Sequence, residues 1–186
     1  MNTTESYATT TELLAGLPQV QAAPVQAGQL RWIIRRPDTD VREVLEAGEL
    51  TAAAGLVGDR WAARCTRKLP SGALNPDTQL TIMNVRMLAL LTRDESRWPE
   101  AGDNLLVDLD LSQANLPVGQ RLRIGSAILE ITTEPHNGCA KFSRRFGPEA
   151  LKFVNSPEGK ALHLRGVYAQ VVTDGRVRVG DTITKL

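Results

Sequence analysis

Cys139 lies in the stretch Glu134-Pro-His-Asn-Gly-Cys139-Ala-Lys-Phe-Ser-Arg-Arg-Phe-Gly147, which carries one of the chain's two cysteines and one of its two histidines. Asn137-Gly138 is turn chemistry, and after it Phe142, Phe146 and Leu151 fall at helical spacing. That places Cys139 in the first turn of a helix. Free backbone N–H groups and the positive end of the helix dipole favour the ionised, nucleophilic form of a thiol there, and Lys141, Arg144 and Arg145 reinforce the effect. The chemistry open to such a sulfur is nucleophilic attack, sulfur carriage or ligation of a soft metal. Equally, a free cysteine is a common buried small hydrophobe. His136, three residues upstream, either orients a ligand or satisfies the turn, and the turn is the simpler role.

Three further places set polar side chains beside backbone turns. Gly58 frees the chain where Asp59 and Arg60 follow, as an ion pair, a ligand clamp or a buried structural pair. Asp77-Thr78 precedes the strand pattern Gln79-Leu-Thr-Ile-Met-Asn84, and Gly102-Asp-Asn104 feeds Leu105-Leu-Val-Asp108. Residues 62–77, with Pro70, Gly72 and Pro76, read as a loop long enough to be a lid or binding loop.

These positions need a scaffold. Residues 1–27 are rich in Thr, Ala and Gln and read as an N-terminal arm or strap with a short helix at Thr11 to Ala15. Alternation of Leu30, Trp32 and Ile34 predicts a strand, and Val41 to Ala47 predicts at most two helical turns. Asn84 is placed to cap a helix over Val85 to Asp94. Strands then recur at close intervals: Leu105 to Leu109, Gln120 to Ile124 and Ala127 to Thr133, the last stopped by Pro135. Pro148 opens a second short helix, and all three phenylalanines of the chain fall between Phe142 and Phe153, a hydrophobic seat for the cysteine segment. Arg165 to Val172, Arg176 to Val179 and Thr182 to Leu186 complete a β-rich C-terminal part, with Asp174-Gly175 and Gly180-Asp181 as turns. Short strands with turns between them predict a barrel or sandwich rather than alternating β-α units.

With 186 residues, one domain is expected. Twenty-two basic against 21 acidic residues leave a net charge of +1, which argues against a nucleic-acid-wrapping protein and makes any anion site local. Lys141 to Arg165 is the basic region, as a site or as a solvated helix face. Cys65 and Cys139 form no C-x-x-C or zinc pattern; a disulfide stays open, but a reducing compartment suits them better. With no leader pattern and no long apolar run, the expectation is a soluble cytoplasmic protein without membrane partners.

In order, Gly58-Asp-Arg60, Gly102-Asp-Asn-Leu105, the turn ending at Cys139, and Arg165-Gly-Val-Tyr168 through Val179-Gly-Asp181 resemble the motifs of the MOSC domain. That module is named for the C-terminal part of molybdenum cofactor sulfurase, and it is similar to the stand-alone bacterial MOSC proteins and the amidoxime-reducing component. The resemblance spans residues 28–186 and leaves the arm 1–27 unmatched. It implies a mainly β chain with α insertions, a distorted and mostly antiparallel β-barrel of the MOSC, PK β-barrel-like kind. It implies a molybdenum cofactor (molybdopterin), with Cys139 as metal ligand and catalytic residue, or as carrier of sulfur. It further implies cofactor contacts from Asn104, Asp59, Arg60 and Thr78, with Asp77 beside the last, and counter-charge for the pterin phosphate from Lys141 and Arg144. Three functions follow from the likeness: reduction of N-hydroxylated small molecules with a separate electron-donor protein, carriage of a persulfide from a pyridoxal-phosphate-dependent cysteine desulfurase, or binding without catalysis. The chain has Gly138 where the family often has Pro, Asp103 where Glu is usual, and Trp61 where stand-alone members commonly have His.

Overall fold

The computed structural model describes residues 7–65 and 67–186, so residues 1–6 of the expected arm lie outside the described residues. The first half of the chain forms helix α1 (Thr10–Gln21), strands β1 (Ala27–Arg35), β2 (Glu43–Leu45), β3 (Ala47–Thr51) and β4 (Gly55–Leu56), and one helical turn, α2 (Trp61–Arg64). Strand β5 (Leu80–Asn84), helix α3 (Val85–Leu91) and strand β6 (Leu105–Asp108) follow, then the hairpin of β7 (Arg121–Ile124) and β8 (Ala127–Ile131). Helices α4 (Ala140–Phe146), α5 (Pro148–Val154) and α6 (Pro157–Ala161) lead to β9 (Val167–Thr173), β10 (Gly175–Arg178) and β11 (Thr182–Lys185).

Hydrogen-bonded neighbours run β11-β7-β8-β9-β5-β6-β1, and β1 also pairs with β11, which closes a barrel. Every pair around it is antiparallel except β5 with β6, as the expected distorted, mostly antiparallel barrel requires. Strand direction there follows from α3, because parallel neighbours need a crossover rather than a hairpin. β2 extends β1 outward, and β10, β3 and β4 make a separate small sheet.

Two apolar clusters hold this together. Inward residues such as Leu30, Leu80, Ile82, Leu105, Leu129, Ile131 and Ile183 fill the barrel. The outer faces of the same strands, through Ile34, Met83 and Leu106, meet Leu13 and Leu17 of α1, Met87 and Leu88 of α3, and Phe142, Phe146 and Phe153. β5 is therefore buried along its whole length, and the expected phenylalanine seat is part of the helical layer over one wall of the barrel.

Three local expectations change. The register shift between Leu30 and Trp32 breaks strict alternation, so Ile33 joins Leu30 inside while Trp32 and Ile34 face the helices. Val41 to Ala47 is not helical: Glu43–Leu45 pairs with β1, because the chain leaving Pro37 returns antiparallel along that strand. In the arm, the expected short helix runs over Thr10–Gln21, capped by Thr9 and Glu12, with Leu13, Leu17 and Val20 buried. Glu149 at the start of α5 accepts from both the backbone N–H and the hydroxyl of Thr10, tying that helix to the layer. No helix among the described residues is long and apolar enough to cross a membrane.

Candidate functional site

Pro135 ends β8's continuation, and α4 starts at Ala140, so Cys139 is the residue just before the helix. Its backbone is extended, its side chain makes no capping hydrogen bond, and its thiol is free and exposed. Phe142 and Phe146 anchor α4 in the outer core. The loop before the cysteine is held from α5's far end, where the side chain of Asn155 bonds to the backbone of Gly138.

Cys139 opens onto a cavity of about 580 Å³. Asp59, Arg60, Thr78 and Lys141 line it too, so five of the residues singled out in the sequence meet there. Arg36, Arg42, Arg67, Arg145 and Arg165 add cations, against Asp59 as the one acid among the lining residues. That acid is already committed. Asp59 is 2 % exposed and takes a two-pronged salt bridge from Arg36, Nε to Oδ2 at 2.8 Å and Nη2 to Oδ1 at 2.9 Å. Burial alone would raise its carboxyl, but the hydrogen bonds and charge of Arg36, with Asn104, hold it below the ordinary carboxylate range. The sequence neighbours Asp59 and Arg60 are thus not each other's partners: Arg60 pairs with Asp38.

Asn104 does not reach the cavity wall. It is fully buried, its Oδ1 accepting from Arg36 Nη2 at 2.9 Å and Thr81 N at 3.2 Å, its Nδ2 donating to Asp59 Oδ2 at 3.0 Å and Ile34 O at 3.3 Å. One bond from each end of its amide fixes the Arg36–Asp59 pair, and the others tie it to the backbones of Thr81 and Ile34. Arg144 is exposed and outside the cavity. Thr78 accepts from Trp61 Nε1 at 3.2 Å, so the tryptophan that replaces the commoner histidine buttresses the wall.

Sequence reasoning missed Arg36, Arg42 and Cys65. Arg36 is the residue just after β1, a strand end that carries no motif. Arg42 has a buried Nε with no hydrogen-bond partner, and burial together with the guanidiniums of Arg145 and Arg36 lowers its hold on its proton. Carboxylates meet the neighbouring cations, Asp59 at Arg36 and Asp40 at Arg145, so it is the unpartnered Arg42 Nε that marks a place for an anion. Cys65, free like Cys139, lines the same cavity and hydrogen-bonds through Sγ to Arg67 O at 2.9 Å. The disulfide left open by the sequence is not formed.

Asp103 and His136 lie behind the wall. Arg165 Nη1 bonds Asp103 Oδ2 at 2.8 Å, and its guanidinium lies 5.0 Å from the Phe142 ring centre, linking the Gly102-Asp-Asn104 turn to the cysteine helix. His136, expected in a turn, has its ring 4.6 Å from that of Tyr168 and is only 8 % exposed.

Residues 58–184 match the family model of the MOSC domain. The YuaD protein from Bacillus subtilis is similar in structure, with a TM-score of 0.63 at 18 % identity, over 86 % of this chain and 95 % of its own. YiiM from Geobacillus stearothermophilus (TM-score 0.58, 15 % identity, 86 % and 75 % covered) and YiiM from Escherichia coli (0.54, 18 %, 85 % and 69 %) share the fold. At these identities the likeness is one of fold. No curated protein matches the chain.

Proposed function

The chain belongs to the MOSC domain family, which is linked to molybdenum cofactor binding, and from that premise we propose that it binds such a cofactor in the cavity of Cys139 and reduces N-hydroxylated small molecules. The observation that carries this reading is an exposed thiol in a cavity whose cations outnumber its acids, with the one acid already paired. The donor set fits: a soft thiolate suits molybdenum, and the guanidiniums suit a pterin phosphate. When bound, the cofactor supplies a metal centre that exchanges oxygen and electrons with the substrate.

The chain's own residues do the rest. Cys139 Sγ is the metal ligand, and its place before α4 keeps it clear of the helix's own hydrogen bonds. Arg36, Arg42, Arg145 and Lys141 hold the anionic part of the cofactor, with Arg36 kept in one orientation by Asp59 and Asn104. Arg60 offers further donors, while the Thr78 hydroxyl, which donates to Asn75 O at 3.0 Å, shapes the wall. Electrons come from a separate donor protein. Protein made in a molybdenum-competent host is expected to carry molybdenum and a fluorescent pterin in near-equal amounts, both lost in Cys139→Ala. Protein that emerges empty and refuses added cofactor overturns the reading.

A second reading is favoured by Cys65, a second thiol in the same cavity. In it Cys139 attacks the outer sulfur of a persulfide on a pyridoxal-phosphate-dependent cysteine desulfurase. A new S–S bond forms on Cys139 as the desulfurase cysteine leaves as thiolate. Intact mass after incubation with such an enzyme shows one added sulfur, absent in Cys139→Ala; no mass gain removes this role.

A further inference from the structure

Gly102 stands among three guanidiniums. Its carbonyl oxygen accepts from Arg36 Nη1 at 2.9 Å, and a Cβ on it would lie 3.5 Å from Arg42 Nη2 and 3.8 Å from Arg145 Nη1, with Glu100 O next at 4.0 Å. Gly102, Arg36, Arg42 and Arg145 all line the cavity of Cys139.

The three cations differ in what already answers their charge. Arg36 is held by buried Asp59 at two points and by Asn104, so it is fixed. Arg42 makes no ion pair among the described residues, and its Nη1 donates to Val41 O at 2.7 Å. Arg145 gives Nη1 to Glu100 O at 2.6 Å and Nη2 to Asp40 Oδ1 at 3.1 Å, and the same oxygen of Asp40 lies 3.8 Å from Lys141 Nζ. Asp40 is not itself a lining residue. It reaches those two cations from the loop between β1 and β2, with its side chain 60 % exposed and its backbone left-handed at φ 57°. An ion pair that exposed is weak and easily exchanged, unlike the buried pair of Arg36 and Asp59.

We propose that Asp40 is a specificity-determining residue of this corner: a tethered carboxylate that competes for Arg145 and Lys141, yields to a phosphate dianion and keeps monocarboxylates out. A carboxylate ligand brings one charge and two oxygens, which Asp40 already supplies at the high effective concentration of the same chain. A phosphate dianion brings a second charge and a third acceptor oxygen, so it engages Arg42 together with the two cations that Asp40 releases. The inference rests on the anion-holding part of the cofactor reading and adds what the site demands of its anion.

Titration calorimetry on the full chain tests it with phenyl phosphate and benzoate, which share a ring and differ in the anion. The parent chain is expected to bind the phosphate and not the benzoate. Asp40→Asn, a residue that also tolerates left-handed backbone, should bind phenyl phosphate about fivefold more tightly, the size of an exposed ion pair, and should gain measurable binding of benzoate. Glu43→Gln removes the same charge nearby, from a carboxylate whose partner Arg35 does not line the cavity, and should change the affinity by less than about twofold. The Val41 N–H, which donates to Asp38 O at 3.2 Å within the loop, should exchange faster with phenyl phosphate bound, because the loop has then lost its anchor at Arg145. Unchanged affinity in Asp40→Asn, an equal gain in Glu43→Gln, benzoate binding by the parent, exchange at Val41 that does not quicken, or no phosphate binding by either parent or Asp40→Asn overturns the inference. A chain that shows the expected pattern yet emerges without molybdenum and pterin fails the cofactor reading alone.

Discussion

Asn155 and Gly138 form a two-bonded pair: the Gly138 N–H donates to Asn155 Oδ1 at 2.9 Å, and Asn155 Nδ2 donates to Gly138 O at 3.1 Å. The loop that aims Cys139 is thereby fastened to the end of α5. Proline, frequent in the family at this position, has no N–H to give, and a Cβ there would stand 2.8 Å from Leu151 Cδ1. Gly138→Pro is therefore expected to destabilise the chain by about 2 kcal/mol in denaturant unfolding. Asn155→Ala should quicken backbone amide exchange at residues 138 and 139.

Asp59 offers a second test. Removing it leaves Arg36 without its carboxylate and strips one partner from buried Asn104. Asp59→Ala is expected to lower stability by about 3 kcal/mol, the usual cost of orphaning one member of a buried pair. Arg60→Ala, which breaks an exposed pair with Asp38 and an exposed hydrogen bond to Thr39, should change it by under about 1 kcal/mol. Equal losses from the two would contradict the pairing.

Cys139→Ser separates fold from function. Cys139 occupies the position before α4 without capping it, and serine is a better cap than cysteine. Thermal stability should hold or rise slightly, while thiol alkylation at this site and any metal retention disappear.

The buried histidines set a pH dependence. His136 lies well below, and His163 below, the ordinary imidazole range, chiefly through burial. The unfolded rings take protons as pH falls through about 6.5 while the folded rings do not. Stability is thus full above that pH and lost as pH falls, by up to about 1.4 kcal/mol per pH unit for each ring, until the folded rings protonate. Asp103, which faces His136, is shifted up by burial and acts in the opposite sense at lower pH, and Asp59, paired with Arg36 and shifted down, loses its contribution on acidification. Urea titrations from pH 8 to pH 5 should show a shallower slope for His136→Phe than for the parent chain.

Much of this architecture is written in local patterns. Asn84 caps α3 by accepting from the Arg86 N–H at 2.8 Å, and Ala127, Leu129 and Ile131 alternate into the barrel as period-two spacing demands. Motif order also led to Cys139, Asp59, Arg60 and Thr78, and the basic helix to Lys141, all in one cavity, whereas Asn104 of the same motifs lies behind its wall. What stayed hidden depends on partners distant in sequence. Glu43–Leu45 became a strand because β1 offered it an edge, overriding a helix-like spacing. Asp59 found Arg36 across 23 positions rather than its neighbour Arg60. Cys65 carries no local sign at all, since only the fold brings it to the wall where Cys139 stands.

Closure of the barrel rests on three register pairs, Ala27 with Thr184, Gly28 with Ile183 and Gln29 with Thr182. Gly28 makes this seam possible, because any Cβ there would fall 2.4 Å from the carbonyl oxygen of Asp108 on the neighbouring strand. A contact joining the first strand to the last can form only after nearly everything between has been threaded, and such long-range pairings slow folding. The same zip makes the wall vulnerable at its extremity: clipping the final half-dozen residues would uncover two raw strand edges at once, and turn a sealed cylinder into a sticky open sheet.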